Sequence, residues 1–413
     1  MKRREVPSGG EYPPVSVRSA IEGLDGPLGV IDLDAMDRNT VKMRERAGGL
    51  AIRVASKSLR VPAAVDHILA YDGFTGVLAY SLAEAVCLAR ERGIDDIVVG
   101  YPTVERGALR ELLEDEELLR TITLVADSPE QLQMIDGVRR TLPSRQAVDS
   151  PVRIALEFDA GTRIGPFETG PSFLFGVRRS PLHTPEQAKE FAQHVVRRPG
   201  FRLVGILAYE AQIAGLPDRG VGLKGPLIRH LKVRSIADLA ERRTRAVRAV
   251  REVAPLEFVN GGGTGSLELS EAEGSLTEIG AGSGFYSPVQ FDHYTDFLHE
   301  PAAYFALPVV RRPAPGWCVV FQGGWTASGP IADDRLPVVS WPSDLEFSAT
   351  EGPGEVQTPL RGKSADRLRP GDFVFFRHVK AGEVAERLAH FAVVSDGRVV
   401  DTWPTYRGLG WTF

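Results

Sequence analysis

Cysteine is scarce: the 413 residues carry two, Cys87 and Cys318, far apart. Two thiols exclude a disulfide framework and a cysteine-rich zinc site, and they suit a reducing, cytoplasmic setting. No uninterrupted apolar run approaches the ~20 residues that span a bilayer, so no transmembrane helix is expected. The first ten residues, Met1 to Gly10, are charged in part and lead into no apolar stretch, so no signal peptide is expected. Neither sign of charge dominates, with 49 Lys and Arg against 54 Asp and Glu and a net charge of -5. That balance gives no electrostatic reason to expect nucleic acid or an acidic membrane as partner. Internal repeats and low-complexity segments are lacking too. What is present is ordinary for a globular chain, 43% hydrophobic and 25% charged. At about 150 residues per domain, two or three domains are expected.

Residues 1–26 are rich in Pro, Gly and charge and read as an extended arm with a short strand at 15–17. From residue 28, short apolar strands alternate with amphipathic helices. Strands are expected at 28–33, 51–55, 76–79, 97–99, 121–125, 152–158, 203–208 and 257–259. Alternation of this kind means βα units and a parallel sheet. Eight strands over about 250 residues match a (β/α)8 TIM barrel, with an open doubly wound sheet as the competitor. The barrel is expected over 27–297. From 298 to 413 the strands at 306–310, 317–322, 336–340, 373–376, 392–394 and 398–401 follow one another without long helices. This reads as a C-terminal all-β domain, in which 348–364 is expected as a loop.

Three features carry chemistry. Lys57 lies at the end of the second strand, in Ala55-Ser56-Lys57-Ser58. Catalytic groups of a barrel sit at strand C-terminal ends. A partly desolvated lysine there favours its neutral, nucleophilic amine, and the plain alternative is a solvated loop lysine. The run Asn260-Gly261-Gly262-Gly263-Thr264-Gly265-Ser266 follows the last expected strand. Consecutive glycines let backbone N–H groups converge on an anion, and barrel phosphate sites often follow strands 7 and 8. A simple glycine turn is the alternative. The third feature, Glu278 to Tyr286, is a second glycine-rich turn that either completes a phosphate cup or joins two domains. A strand-end lysine followed by a phosphate cup points to pyridoxal 5'-phosphate.

The motifs resemble those of the alanine-racemase-like (fold type III) pyridoxal phosphate enzymes, and within them the D-threonine aldolase / D-serine dehydratase branch. The resemblance rests on Gly29 to Asn39, Arg53-Val54-Ala55-Ser56-Lys57, Leu156-Glu157-Phe158-Asp159-Ala160-Gly161-Thr162-Arg163-Ile164-Gly165 and Gly205-Ile206-Leu207-Ala208-Tyr209-Glu210. It continues through Gly261 to Gly265, Gly282-Ser283-Gly284-Phe285-Tyr286 and Val399 to Gly408. The resemblance implies that Lys57 holds the cofactor through a Schiff base and that Arg163 and Tyr209 line its ring. It implies that Gly262, Gly263, Thr264, Gly282, Ser283 and Tyr286 hold the phosphate or lie beside it. It also implies a β-domain over the barrel mouth, a homodimer and a small amino acid as substrate.

One stretch departs from the branch. It carries a divalent metal on a His-x-Cys or His-x-Asp pair, and here the corresponding residues run Arg377-His378-Val379-Lys380-Ala381-Gly382-Glu383. His378 matches the histidine, but an ammonium at Lys380 cannot ligate a cation. Either Glu383 completes a His/Glu site for Mn, Mg or Zn, or Lys380 supplies positive charge in the metal's place.

The expected reaction is cleavage of the Cα–Cβ bond of a β-hydroxy amino acid of D configuration, giving an aldehyde and a smaller amino acid such as glycine. Lys57, His378 and Lys380 are its expected catalytic groups. The alternatives are a dehydratase/deaminase that releases water and ammonia, and a racemase, which needs a second base.

Overall fold

The computed structural model describes residues 11–143, 150–164, 173–215, 225–330 and 332–413. Gly165 and most of the first half of the expected arm lie outside them. The chain divides into two compact units. One is built from 43–57 and 66–282, together with residue 413, and the other from the chain up to 42, 58–65 and 283–412.

The first unit is a closed barrel of eight parallel strands. In order these are Ala51–Ala55, Phe74–Ala79, Ile97–Val99, Ile122–Ala126, Val152–Glu157, Phe201–Ala208, Phe258–Gly261 and Glu278–Ala281. Side chains fill its centre as in other small barrels: Val98, Val125, Ala155, Val204, Leu207 and Phe258 form one buried cluster. Helices between the strands start where the sequence offers a cap. Ser81 accepts the Glu84 N–H at 3.1 Å to open Leu82–Arg92, and Thr184 accepts the Gln187 N–H at 3.2 Å to open Pro185–Arg197.

Two strands fall in places that local pattern does not reveal. The segment expected as the first barrel strand, observed as Leu28–Asp32, pairs with the β-sheet of the other unit. The eighth barrel strand is Glu278–Ala281, inside the stretch expected as a glycine-rich turn. Glu278 explains it. Its carboxylate takes the Arg53 guanidinium at 2.7 and 2.8 Å and the Asn260 amide at 2.9 Å, tying three adjacent strands together. An extra antiparallel hairpin, Thr162–Ile164 with Phe173–Phe175, also belongs to this unit.

The second unit carries a nine-stranded sheet. Leu28–Asp32 lies within it, antiparallel to Ala303–Arg311 and parallel to His390–Ser395. Residues 15–17 form no strand; they open the helix Val15–Ala20, whose Val17 packs with Ile21, Val30, Tyr304 and Phe375. The expected loop at 348–364 contains the strand Gln357–Arg361, which pairs with Trp317–Phe321 and with Glu346–Phe347. Its neighbouring Pro and Gly residues mask it in sequence. No helix among the described residues is long and apolar enough to cross a membrane.

Candidate active site

In the barrel unit, five strands end in polar residues on the same rim. Lys57 follows Ala51–Ala55 on the one-turn helix Ser56–Ser58, Tyr101 lies two residues beyond Ile97–Val99, and Tyr209 follows Phe201–Ala208 directly. Asp127 follows Ile122–Ala126, and Glu157 ends Val152–Glu157. The Lys57 ammonium donates to the Tyr101 hydroxyl at 3.1 Å. Lys57 is exposed, because the turn lifts it off the apolar strand into the open rim; the expected desolvation is not observed. The Arg179 guanidinium lies 5.6 Å from the Tyr101 ring centre and 5.7 Å from that of Tyr209, within cation–π range of both. Burial, with the neighbouring Glu210 carboxylate, pushes the Tyr209 hydroxyl up to about 12, so it keeps its proton. Glu157 is 7% exposed, and its carboxyl is pushed up to about 7 by burial and by the Asp127 carboxylate.

Arg163 sits on the hairpin and pairs with Asp159 at 2.9 Å. Burial alone would raise the Asp159 carboxyl, but hydrogen bonds from His183, the Gly161 N–H and Arg163 hold it below the usual range.

The glycine turn is held from beneath. Gly262 has φ +71°, and a Cβ on it would meet Ser270 Oγ at 2.6 Å. Its N–H donates to Glu210 Oε2 at 3.0 Å, and the Gly263 N–H donates to Ser266 Oγ at 3.2 Å. These two N–H groups, expected to converge on an anion, are therefore engaged inside the protein. The physical reason is the buried Glu210 carboxylate, which sequence reading passed over although it adjoins Tyr209. A Cβ on Gly263 would meet Tyr209 Cε2 at 3.3 Å, so the turn and the tyrosine ring are neighbours. Arg46 holds Thr264 by its carbonyl at 2.9 Å. Gly282 follows the last barrel strand.

The remaining candidates belong to the β-sheet unit and pack among themselves. Ser283 opens the one-turn helix Ser283–Tyr286, which Asn39 steadies by donating to the Phe285 carbonyl at 3.1 Å. Tyr286 is fully buried, and its hydroxyl has no hydrogen-bond partner among the described residues. Its ring meets the His378 ring edge-on at 6.5 Å between centroids. His378 is 6% exposed, and neither ring nitrogen has a hydrogen-bond partner among the described residues. Burial and the adjacent Arg377 push it down to about 3, so the imidazole is neutral. The segment is fixed around it: the His378 carbonyl accepts the Val289 N–H at 3.0 Å, and Arg377 grips Asp292 at 2.8 Å through both terminal nitrogens. His378 faces a cavity of about 390 Å³ also lined by Phe305, Trp325, Lys380, Glu383 and Arg387. The Glu383 carboxylate accepts the Ser328 N–H at 3.0 and 3.1 Å.

Thus the structure joins Lys57 and Tyr209 through Tyr101 and Arg179, sets Tyr209 against Gly263, and pairs Tyr286 with His378. Tyr101, Arg179 and Glu157 were missed in sequence. Tyr101 and Glu157 had a usable signal, since each is polar and stands at the end of an apolar strand. Arg179 had none, because it lies beyond the hairpin.

A 3-hydroxy-D-aspartate aldolase of Paracoccus denitrificans is 24% identical over 417 residues, covering 95% of this chain and 96% of that protein. A D-threonine aldolase from Filomicrobium marinum shares the fold with a TM-score of 0.74 at 20% identity, covering 94% of this chain and 96% of that one. The D-threo-3-hydroxyaspartate dehydratase from Delftia sp. HT23 does so with a TM-score of 0.69 at 19% identity, covering 93% and 98%. The model of the alanine racemase N-terminal domain matches residues 31–286, more than half of the chain. With a closed barrel, a strand-end lysine and that match in place, the chain belongs to the alanine racemase N-terminal domain family.

Proposed function

We propose that this protein is a pyridoxal-phosphate-dependent lyase that cleaves the Cα–Cβ bond of a D-β-hydroxy amino acid to an aldehyde and a smaller amino acid. The observation that carries the reading is Lys57, exposed at the C-terminal rim of the barrel with its amine on the Tyr101 hydroxyl. We take it to act in the cytoplasm as a homodimer.

The residues present suit the cofactor. A primary amine, two tyrosines with a guanidinium between them and a glycine turn that side chains would crowd are gathered in one unit. Lys57 would hold the aldehyde carbon, and Tyr209 and Arg163 would flank the ring. Thr264, Gly282, Ser283 and Tyr286 are the candidates for its phosphate, with Gly262 and Gly263 shaping the turn. When bound, pyridoxal phosphate supplies an electron sink for the pair released at Cα. Tyr101 steadies the Lys57 amine and gives it a proton partner. By the resemblance, His378 and Lys380 would meet the substrate β-hydroxyl, the neutral imidazole accepting its hydrogen bond and the ammonium favouring the oxygen as its negative charge grows.

A divalent metal does not suit the donor set. Glu383 is spent on Ser328, Lys380 brings like charge, and no group of three or more His, Cys, Asp or Glu gathers among the described residues. No step is therefore assigned to one. Chelator is expected to leave turnover unchanged, while His378→Ala lowers it by about 100-fold. Loss of activity in chelator, restored by Mn, Mg or Zn, would return the metal to His378 and Glu383.

The Lys57–Tyr101 hydrogen bond also favours a second reading, in which Lys57 removes the α-proton and the hydroxyl leaves as water. The products decide. The purified protein is offered D-3-hydroxyaspartate and D-threonine, the compounds for which relatives are named. Aldehyde and glycine support cleavage; a 2-oxo acid with ammonia supports dehydration. A colourless protein that takes up no added pyridoxal phosphate, and shows no borohydride-fixed adduct on Lys57, would end both.

A further inference from the structure

The glycine turn beside Tyr209 rests on a buried ionic assembly that the proposed chemistry does not use. Its centre is Glu210, 2% exposed. One carboxylate oxygen accepts the Gly262 N–H and Arg243 Nη1, each at 3.0 Å. The other accepts Ser266 Oγ at 3.2 Å and Ser270 Oγ at 3.3 Å. Arg243, 1% exposed, also donates to the Ala208 carbonyl at 2.9 Å and to Glu273 at 2.7 Å. A buried carboxylate survives only when its charge is paired and its lone pairs are filled, and here both conditions are met.

Two glycines of the run close on the assembly itself, and a third closes on Ala214 beside it. A Cβ on Gly261 would meet Arg243 Nη1 at 2.6 Å, one on Gly262 would meet Ser270 Oγ at 2.6 Å, and one on Gly263 would meet Ala214 Cβ at 3.0 Å. Gly261 and Gly262 are thus what allows the backbone to settle onto the ionic assembly. Ser266 in turn takes the Gly263 N–H at 3.2 Å, which extends the grip one residue further.

We propose that Glu210 is a positioning residue: it clamps the turn Gly261 to Ser266 against Arg243 and thereby preforms the surface on which the cofactor's phosphate rests. The cofactor part of this inference depends on the function proposed above; the clamp does not.

The test compares Glu210→Gln, which keeps one acceptor and loses the charge, with Glu273→Gln, which loosens Arg243 without touching the turn. Hydrogen exchange of the peptide 261–266 is followed in the purified protein, and pyridoxal phosphate affinity is measured by absorbance titration. In Glu210→Gln, exchange is expected to rise and affinity to fall, each by about tenfold, the usual weight of a charge-assisted hydrogen bond. Glu273→Gln is expected to lower Tm with affinity unmoved. Unchanged exchange in Glu210→Gln overturns the clamp. Raised exchange with unchanged affinity overturns its link to the cofactor. If Glu210→Gln does not fold, Ser270→Ala removes a single partner and must move both readouts in the same direction. A wild type that binds no pyridoxal phosphate sinks the lyase reading, while exchange still decides the clamp.

Discussion

Lys57→Ala is expected to lose the visible absorption of bound pyridoxal phosphate and to turn over substrate on the order of 1,000-fold more slowly or worse. The side chain is exposed, on a one-turn helix, and its amine donates to the Tyr101 hydroxyl. Truncating a side chain so placed changes folding stability by about 0.5 kcal/mol at most. The loss is therefore chemical, and an equal Tm of the two cofactor-free proteins alongside it would separate the two causes. Tyr101→Phe removes only the partner hydroxyl and is expected to fall between wild type and Lys57→Ala. Full colour and activity in Lys57→Ala would remove the centre of the proposed mechanism.

The second large effect lies in pH and stability. The Glu157 carboxyl is pushed up to about 7, first by burial and then by Asp127, with Arg179 pulling it down and Asp159 adding repulsion. In the unfolded chain the same carboxyl ionises near 4.5. Between those values the folded protein holds a proton that the unfolded chain has released. The group thus favours folding most below pH 4.5, and that contribution drains away as pH rises to about 7. The full span corresponds to about 3 kcal/mol at 1.36 kcal/mol per unit. Glutamine carries no such charge. Glu157→Gln should therefore be more stable than wild type at pH 8, by up to about 3 kcal/mol, and nearly equal to it at pH 4.5. Urea unfolding at the two pH values reads the difference directly. An advantage that does not change with pH would mean that Glu157 is already ionised in the folded protein at low pH.

Much of this architecture was legible because its signals are local. Short apolar runs alternating with amphipathic helices identify a parallel barrel, and a lysine at the end of one such run marks the rim. Partner choice was not legible. Leu28–Asp32 and Glu278–Ala281 are both short, and nothing inside either segment says which sheet it joins. The answer lies in residues hundreds of positions away: Arg53 pulls Glu278 into the barrel, while Ala303–Arg311 and His390–Ser395 take up Leu28–Asp32. The site divides the same way. Lys57 and Tyr209 stand in motifs that can be read along the chain. Arg179 acquires meaning only when two tyrosines from different strands meet on either side of it, and Glu210 only when a turn fifty residues later folds onto it.

The placement of Leu28–Asp32 also governs the order in which the molecule can be made. Leu28 pairs with Ala306, and Gly29 pairs with Phe391. On a ribosome adding about 5–20 residues per second, the strand emerges tens of seconds before either partner exists. Throughout that wait it is a short segment, apolar up to Asp32, with two open edges, the kind of surface that recruits chaperones or neighbouring nascent chains. Neighbouring barrel strands follow one another more closely along the chain, and only the closing pair, Ala51–Ala55 with Glu278–Ala281, spans a comparable separation. The last third of the chain cannot be excised as a free-standing module, because the strand at the middle of its sheet is contributed by the beginning of the polypeptide.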